Sequence, residues 1–169
     1  MIKLYVKNKF FSIGGGSSAT DENGKDVFII KGRPFSPTKV KKIYDLNNNL
    51  LYKVRNKFWN NPFSFKGPKI LVFNGAGEEV AILRKPKVFT ANFEIESTLG
   101  NFSVEGQGFL TGQFIVKQNN EEIAVIEKLI NLAVDSFELI VHNEQYASLM
   151  LAFLICMDNF YDKLSDSKR

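Results

Sequence analysis

The sequence predicts an α+β fold, a closed antiparallel β-barrel of about twelve strands around a central hydrophobic C-terminal α-helix. The first observation behind this is an apolar run, Ala147–Met157, that only Ser148 interrupts. The second is a series of short strand-like segments before it, spaced as in barrels and sandwiches. The third is a turn-plus-strand unit that recurs along the chain. Because a wide barrel leaves an interior that its wall side chains cannot fill, we expect the apolar helix to fill it.

The helix is predicted from its apolar character and from its capping residue. A helix that is apolar on all faces must be covered on every side. Ala147–Met157 is about half of the roughly 20 residues that a bilayer requires, so we expect protein to cover it and the chain to be soluble without detergent. Asn143 is a good N-cap, which places the helix at about 144–163. Because polar residues return from Asp158, we expect the last turns to leave the core and the tail 165–169 to fray.

A turn rich in Asn, Asp and Gly, followed by a strand, appears repeatedly and predicts hairpins. The turns are Thr20–Gly24, Tyr44–Asn48, Phe73–Gly77 and Lys117–Asn120. The segment Ser12–Ser18 is also expected to be a turn. Strands are expected between about residues 2 and 141, at Ile2–Lys7, Val27–Arg33, Lys39–Tyr44, Leu51–Lys57, Lys69–Phe73, Val80–Lys85, Phe89–Ile95, Asn101–Val104, Gln113–Lys117, Ile123–Lys128 and Asp135–Val141.

Length and composition are those of one folded domain, which we expect to span 1–169. Apolar residues make up 44% and charged residues 24%, and the sixteen Phe suit a wide β core. The single cysteine, Cys156, excludes an internal disulfide. The first residues lack the apolar core of a signal peptide, so we expect a cytoplasmic protein, with peripheral association at a membrane as a further expectation.

Several short motifs in a fixed order carry a resemblance to a known family. They are Tyr5–Gly14, Asp21–Phe28, Tyr44–Asn48, Phe93–Glu96 and Phe137–Ile140. In this order the chain resembles the LURP-one-related proteins of the tubby C-terminal-like superfamily, which also includes the phospholipid scramblases. The resemblance implies a closed twelve-stranded barrel around a hydrophobic C-terminal helix. It implies no agreed activity, and although tubby relatives bind phosphoinositides, no head-group residue of theirs has a match here.

Residues that could carry catalysis are few. The one histidine, His142, lies at a strand-to-helix junction, and Cys156 lies inside the apolar run, where a thiol behaves as a small hydrophobe. One His and one Cys cannot build a zinc site of usual composition. Gly14–Ser18 lacks the Lys-Ser/Thr end and the following helix of a phosphate-binding loop. We therefore expect no catalytic residue, no metal, no cofactor and no enzymatic activity.

Basic residues recur at equivalent positions of the repeated unit. Seven residues past the turn positions Gly24, Asn48, Gly77 and Asn120 stand Lys31, Arg55, Arg84 and Glu127. The three basic residues of this set and neighbouring cations form a candidate site for an anionic lipid or another polyanion. Its residues are Lys31, Arg33, Lys39, Lys41, Lys42, Arg55, Lys57 and Arg84. The alternative is that these cations only keep strand faces soluble. The net charge of +4 permits an anionic partner, and no specific nucleic-acid motif is present.

An aromatic segment around Pro62 offers a second interpretation of function. Phe58, Trp59, Phe63 and Phe65 lie within eight residues, more than a simple turn requires. They either contact a protein partner or fold back over the barrel mouth. The sequence thus favours a non-enzymatic module that binds an anionic ligand or phospholipid head group at a membrane surface, with a protein-interaction scaffold as the alternative. No transmembrane segment is predicted, and the oligomeric state is not indicated.

Overall fold

Twelve antiparallel strands form one closed barrel in the computed structural model, which describes residues 1–7, 16–32, 40–57, 69–84, 92–106, 112–129 and 136–166. Each strand pairs with its neighbours along the chain, and β1 pairs with β12 to close the barrel. The predicted fold is confirmed. The strands are β1 Ile2–Lys7, β2 Gly16–Thr20, β3 Asp26–Gly32, β4 Lys41–Tyr44, β5 Leu50–Lys57, β6 Lys69–Asn74, β7 Glu79–Arg84, β8 Phe93–Ser97, β9 Phe102–Gly106, β10 Gln113–Gln118, β11 Glu121–Leu129 and β12 Ser136–Val141.

Side chains alternate between the inside and the outside of the barrel, as the period of a β-strand requires. In β8 the pattern is clear: Phe93 and Ile95 are buried, whereas Glu94 and Glu96 are exposed. The other strands also turn buried apolar residues toward the inside. Together with the helix, these inward residues form a single apolar core. The alternation read from the sequence therefore assigns most wall residues to the correct face.

The C-terminal helix fills the barrel. Asn143 caps a short 3₁₀ turn, Glu144–Tyr146, by accepting a hydrogen bond from the Gln145 N–H at 3.2 Å, and α1 follows at Ala147–Asp166. Ser148 apart, every residue from Ala147 to Met157 is at most 3% exposed. Phe153 packs edge-to-face on Phe102 of β9, with ring centroids 5.3 Å apart. No helix in the described ranges is long and apolar enough to cross a membrane.

The polar end of this helix differs from expectation. Asp158 and Asn159 are 8% and 0% exposed, so the expectation that the chain leaves the core at Asp158 is wrong. The reason lies on the barrel wall, where Lys41 and Asn56 supply buried polar partners. The helix continues to Asp166, and residues 167–169 of the expected frayed tail lie outside the described residues.

The second strand was not expected from the sequence. Ser17 and Ser18, assigned to a turn over Ser12–Ser18, belong to β2, which pairs with β3 from Gly16 to Thr20. Gly has low strand propensity, but the pairing of Gly16, Ser17 and Ser18 with β3 outweighs it here.

The repeated turns all lie at one end of the barrel, which we call the turn end. In three of them an Asp or Asn side chain accepts a hydrogen bond from the N–H four residues later, at 2.7–2.9 Å, and the fourth residue has positive φ. The accepting residues are Asp21, Asp45 and Asn74, and the positive-φ residues are Gly24, Asn48 and Gly77. The β10–β11 turn instead places Asn119 and Asn120 at positive φ, as in a two-residue hairpin loop. The turn-plus-strand unit that recurs in the sequence thus corresponds to a recurring hairpin in the structure.

Two glycines of the β6–β7 turn should respond differently to substitution. A Cβ at Gly75 would collide with the carbonyl oxygen of Leu50, whereas Gly77 has open space but φ of +88°. Asn tolerates this backbone, and Asn48 already occupies the equivalent position. We expect Gly77→Asn to change the free energy of unfolding by less than about 0.5 kcal/mol. Gly75→Asn should lose about 1–3 kcal/mol in urea titrations. Equal stability of the two variants would contradict this assignment.

Candidate functional site

Three lysines stand side by side on the outer face of β3, β4 and β5. Lys31 lies opposite Lys42, and Lys42 lies opposite Lys53. They point outward because they alternate with the buried residues Ile30, Ile43 and Val54. Directly opposed residues of antiparallel strands have Cα atoms about 4.5–5.5 Å apart. This lysine row therefore brings like charges together across strands, an arrangement that costs stability.

Arg55 extends the cationic surface along β5, away from the turn end. It is exposed and points to the same side as Lys53, two residues earlier. We call Lys31, Lys42, Lys53 and Arg55 together the basic wall. Within the described ranges, none of these four side chains is in an ion pair with a carboxylate. The basic wall therefore carries positive charge that the described part of the protein does not compensate.

Neutral groups position two of the lysines. The Lys31 Nζ donates a hydrogen bond to Asn48 Oδ1 at 2.9 Å and lies 4.6 Å from the centre of the Tyr44 ring. The Lys53 Nζ lies 4.6 Å from the centre of the Phe73 ring. An aromatic face attracts a cation without removing its net charge. These contacts thus orient the ammonium groups and leave them able to bind an anion.

An exposed ion pair forms the boundary of the cationic surface on β7. Lys57 pairs with Lys69 and Lys69 with Arg84 along the backbone ladder. Arg84 donates from Nε and Nη2 to the two carboxylate oxygens of Glu96, both at 3.1 Å. These hydrogen bonds, together with the arginine charge, hold the pKa of Glu96 below its usual value. Arg84 is therefore already neutralised, unlike the cations of the basic wall.

The sequence-predicted cations are only partly brought together. Lys31, Lys42 and Arg55 share the basic wall, whereas Lys41 points into the barrel and is 7% exposed. The expectation that Lys41 belongs to a surface site was wrong, because successive residues of a strand face opposite sides and Lys42 takes the outer one. Arg33 and Lys39 lie outside the described residues.

Sequence reasoning missed Lys53, which completes the lysine row. Counting from the turn positions selects Arg55 but passes over Lys53, two residues before it on the same face of β5. The signal that could have found it is the pairing of the β4–β5 hairpin, which aligns Lys42 with Lys53. The aromatic candidates for protein interaction, Phe58, Trp59, Phe63 and Phe65, lie outside the described residues, and that alternative stays a prediction.

The remaining candidates for chemistry are a histidine and a cysteine. His142 is exposed at the turn end, with Nε2 2.9 Å from Glu122 Oε1. Cys156 is fully buried in the helix, and burial raises the pKa of its thiol. Among the residues with described positions, no three His, Cys, Asp or Glu side chains are grouped as metal ligands. The candidate site on the described surface is therefore the basic wall, where four cations lie close together.

Comparison with known proteins supports the architecture. The family model of the LURP-one-related proteins matches residues 2–158. An Arabidopsis thaliana protein of known X-ray structure is similar to this chain with a TM-score of 0.65 and 15% sequence identity, over 95% of this chain and 91% of that one. At this identity the likeness concerns the fold alone. A search among curated proteins finds no match.

Proposed function

The chain belongs to the LURP-one-related family, and we propose that its barrel is a non-enzymatic binding module for an anionic ligand. The ligand we favour is a phospholipid head group at a membrane surface, bound by the basic wall. The observation that carries the proposal is the lysine row, Lys31, Lys42 and Lys53, in which directly opposed cations lack carboxylate partners within the described ranges.

The lysine row carries an electrostatic cost. Like charges directly opposite each other destabilise a sheet. A carboxylate on a neighbouring strand would reduce the repulsion between them. The β7–β8 pair shows such a match, since the Arg84 guanidinium is paired with the Glu96 carboxylate. A phosphate bound between the lysines would supply the missing negative charge and accept charge-assisted hydrogen bonds. An anion is therefore the chemistry that this surface fits.

The expected affinity is low and reversible. A cation near an anionic membrane surface contributes about 1 kcal/mol, so the basic wall supplies about 4 kcal/mol. This corresponds to binding in roughly the millimolar range. Such binding suits peripheral recruitment at the cytoplasmic face of a membrane, where the surface potential is negative.

Vesicle flotation tests the proposal. We expect the wild-type protein to float with phosphatidylserine-containing vesicles at low salt and less so at physiological salt, since exposed charges are screened. Lys42→Glu should abolish flotation. Lys25→Glu makes the same change of charge at an exposed lysine of the β2–β3 turn and should float as the wild type does. The proposal fails if the wild type does not float at low salt, or if both variants behave alike.

A soluble anion separates a lipid surface from a free ligand. Inorganic pyrophosphate carries the same phosphate chemistry without a membrane. If the ligand is a head group in a membrane, pyrophosphate at concentrations matched in ionic strength to a chloride control should displace the protein from vesicles weakly. Strong displacement beyond the chloride control would identify a soluble polyanion as the better ligand of the basic wall.

A further inference from the structure

The inner face of the β4–β5 hairpin holds polar contacts to the helix. Lys41 Nζ lies 3.1 Å from Asp158 Oδ2, and Asn159 Nδ2 donates to Asn56 Oδ1 at 3.3 Å. Lys41, Asn56, Asp158 and Asn159 are all at most 8% exposed. We call these two contacts the inner polar pairs. They connect the helix to the same hairpin that carries most of the basic wall.

The inner polar pairs stand out because the helix before them, Ala147–Met157, is apolar on every side except at Ser148. Hydrophobic burial is non-directional, so the burial of apolar area does not by itself favour one rotation or depth of the helix. A buried polar pair has a required geometry, and fixing register is the best-attested use of such pairs. The inner polar pairs therefore set the position of the helix relative to β4 and β5.

The outer cations alternate with these inner residues along the two strands. Lys42 follows Lys41 in β4, and Arg55 precedes Asn56 in β5. Adjacent Cα atoms are 3.8 Å apart across a trans peptide. A shift of the hairpin relative to the helix thus moves the outer cations Lys42, Lys53 and Arg55 with it.

We infer that the β4–β5 hairpin couples the position of the helix to anion binding, with Lys41, Asn56, Asp158 and Asn159 as positioning residues for the basic wall. The inference rests on the proposed function. Coupling of this kind is reciprocal: what loosens the helix against the hairpin weakens anion binding, and bound anion holds the helix more firmly.

The substitution Asp158→Asn separates positioning from charge by the sign of its effect. It keeps the shape of the side chain and raises the net charge by one, so electrostatic attraction alone predicts equal or tighter binding to phosphatidylserine vesicles. The coupling predicts weaker binding, by about five-fold or more. The matched control is Phe153→Leu, which loosens the helix against Phe102 of β9, away from the hairpin. Binding is measured at a temperature where both variants are fully folded.

Amide hydrogen exchange without ligand provides a second readout. Asp158→Asn should speed exchange in β4 and β5, and Phe153→Leu should leave those strands as in the wild type. Equal vesicle affinity of the two variants, or tighter binding of Asp158→Asn, overturns the coupling while leaving the proposed function intact. Failure of the wild type to bind overturns both.

Discussion

Replacing Phe153 by Asp should abolish folding of the whole domain. Phe153 has no exposed surface and belongs to the apolar core, where its ring packs against Phe102. Truncation of a buried Phe alone typically costs about 3–5 kcal/mol, and an unpaired buried carboxylate adds to that loss. The total stability of a domain is roughly 5–15 kcal/mol. The variant should show no cooperative thermal transition by circular dichroism.

A surface change of the same charge provides the control. Leu99 is 56% exposed in the β8–β9 turn, so Leu99→Asp should leave the thermal transition nearly unchanged. Deletion of residues 144–169 removes the helix altogether and should give insoluble chains, because the inward face of every strand loses its partner. A soluble, monomeric and cooperatively folded truncation would show that the helix is not the core.

The helix and the barrel could be predicted because their signals do not depend on context. An apolar run such as Ala147–Met157 must be buried wherever it lies, and alternation along a strand such as β8 assigns its faces directly. The repeated turns are likewise determined by local sequence. In three of them an Asp or Asn side chain accepts a hydrogen bond from a backbone N–H four residues later.

Long-range pairing explains what the sequence did not show. Nothing local distinguishes Lys41 from Lys42, and only the register of β4 sends one inward and the other outward. Asp158 looks like the end of a buried helix unless its partner is known, and that partner lies more than a hundred residues earlier. The lysine row likewise exists only once three strands are paired. A candidate site built across strands is therefore less predictable than the fold that builds it.

Breaking the Lys41–Asp158 pair from one side should be severe, and removing it from both sides should be mild. Lys41→Met removes the ammonium group that lies 3.1 Å from the buried Asp158 carboxylate, and breaking a buried ion pair from one side typically costs about 3–5 kcal/mol. The double variant Lys41→Met/Asp158→Leu replaces the pair by apolar side chains, and such replacements are often neutral or stabilising. Urea unfolding of the wild type, both single variants and the double variant measures the coupling of the two residues.

The exposed pair Arg84–Glu96 is the natural control for this cycle. It has good bidentate geometry, but its side chains are 28% and 58% exposed, against 9% and 10% for Lys41 and Asp158. Exposed pairs contribute little because water solvates both charges in the absence of the partner. Arg84→Met should therefore shift the urea midpoint only slightly, while Lys41→Met shifts it strongly. Equal shifts would show that the Lys41–Asp158 pair contributes no more than an exposed pair. A double variant as unstable as the sum of its single changes would show that Lys41 and Asp158 do not interact energetically. In either case their contact does not fix the position of the helix relative to β4.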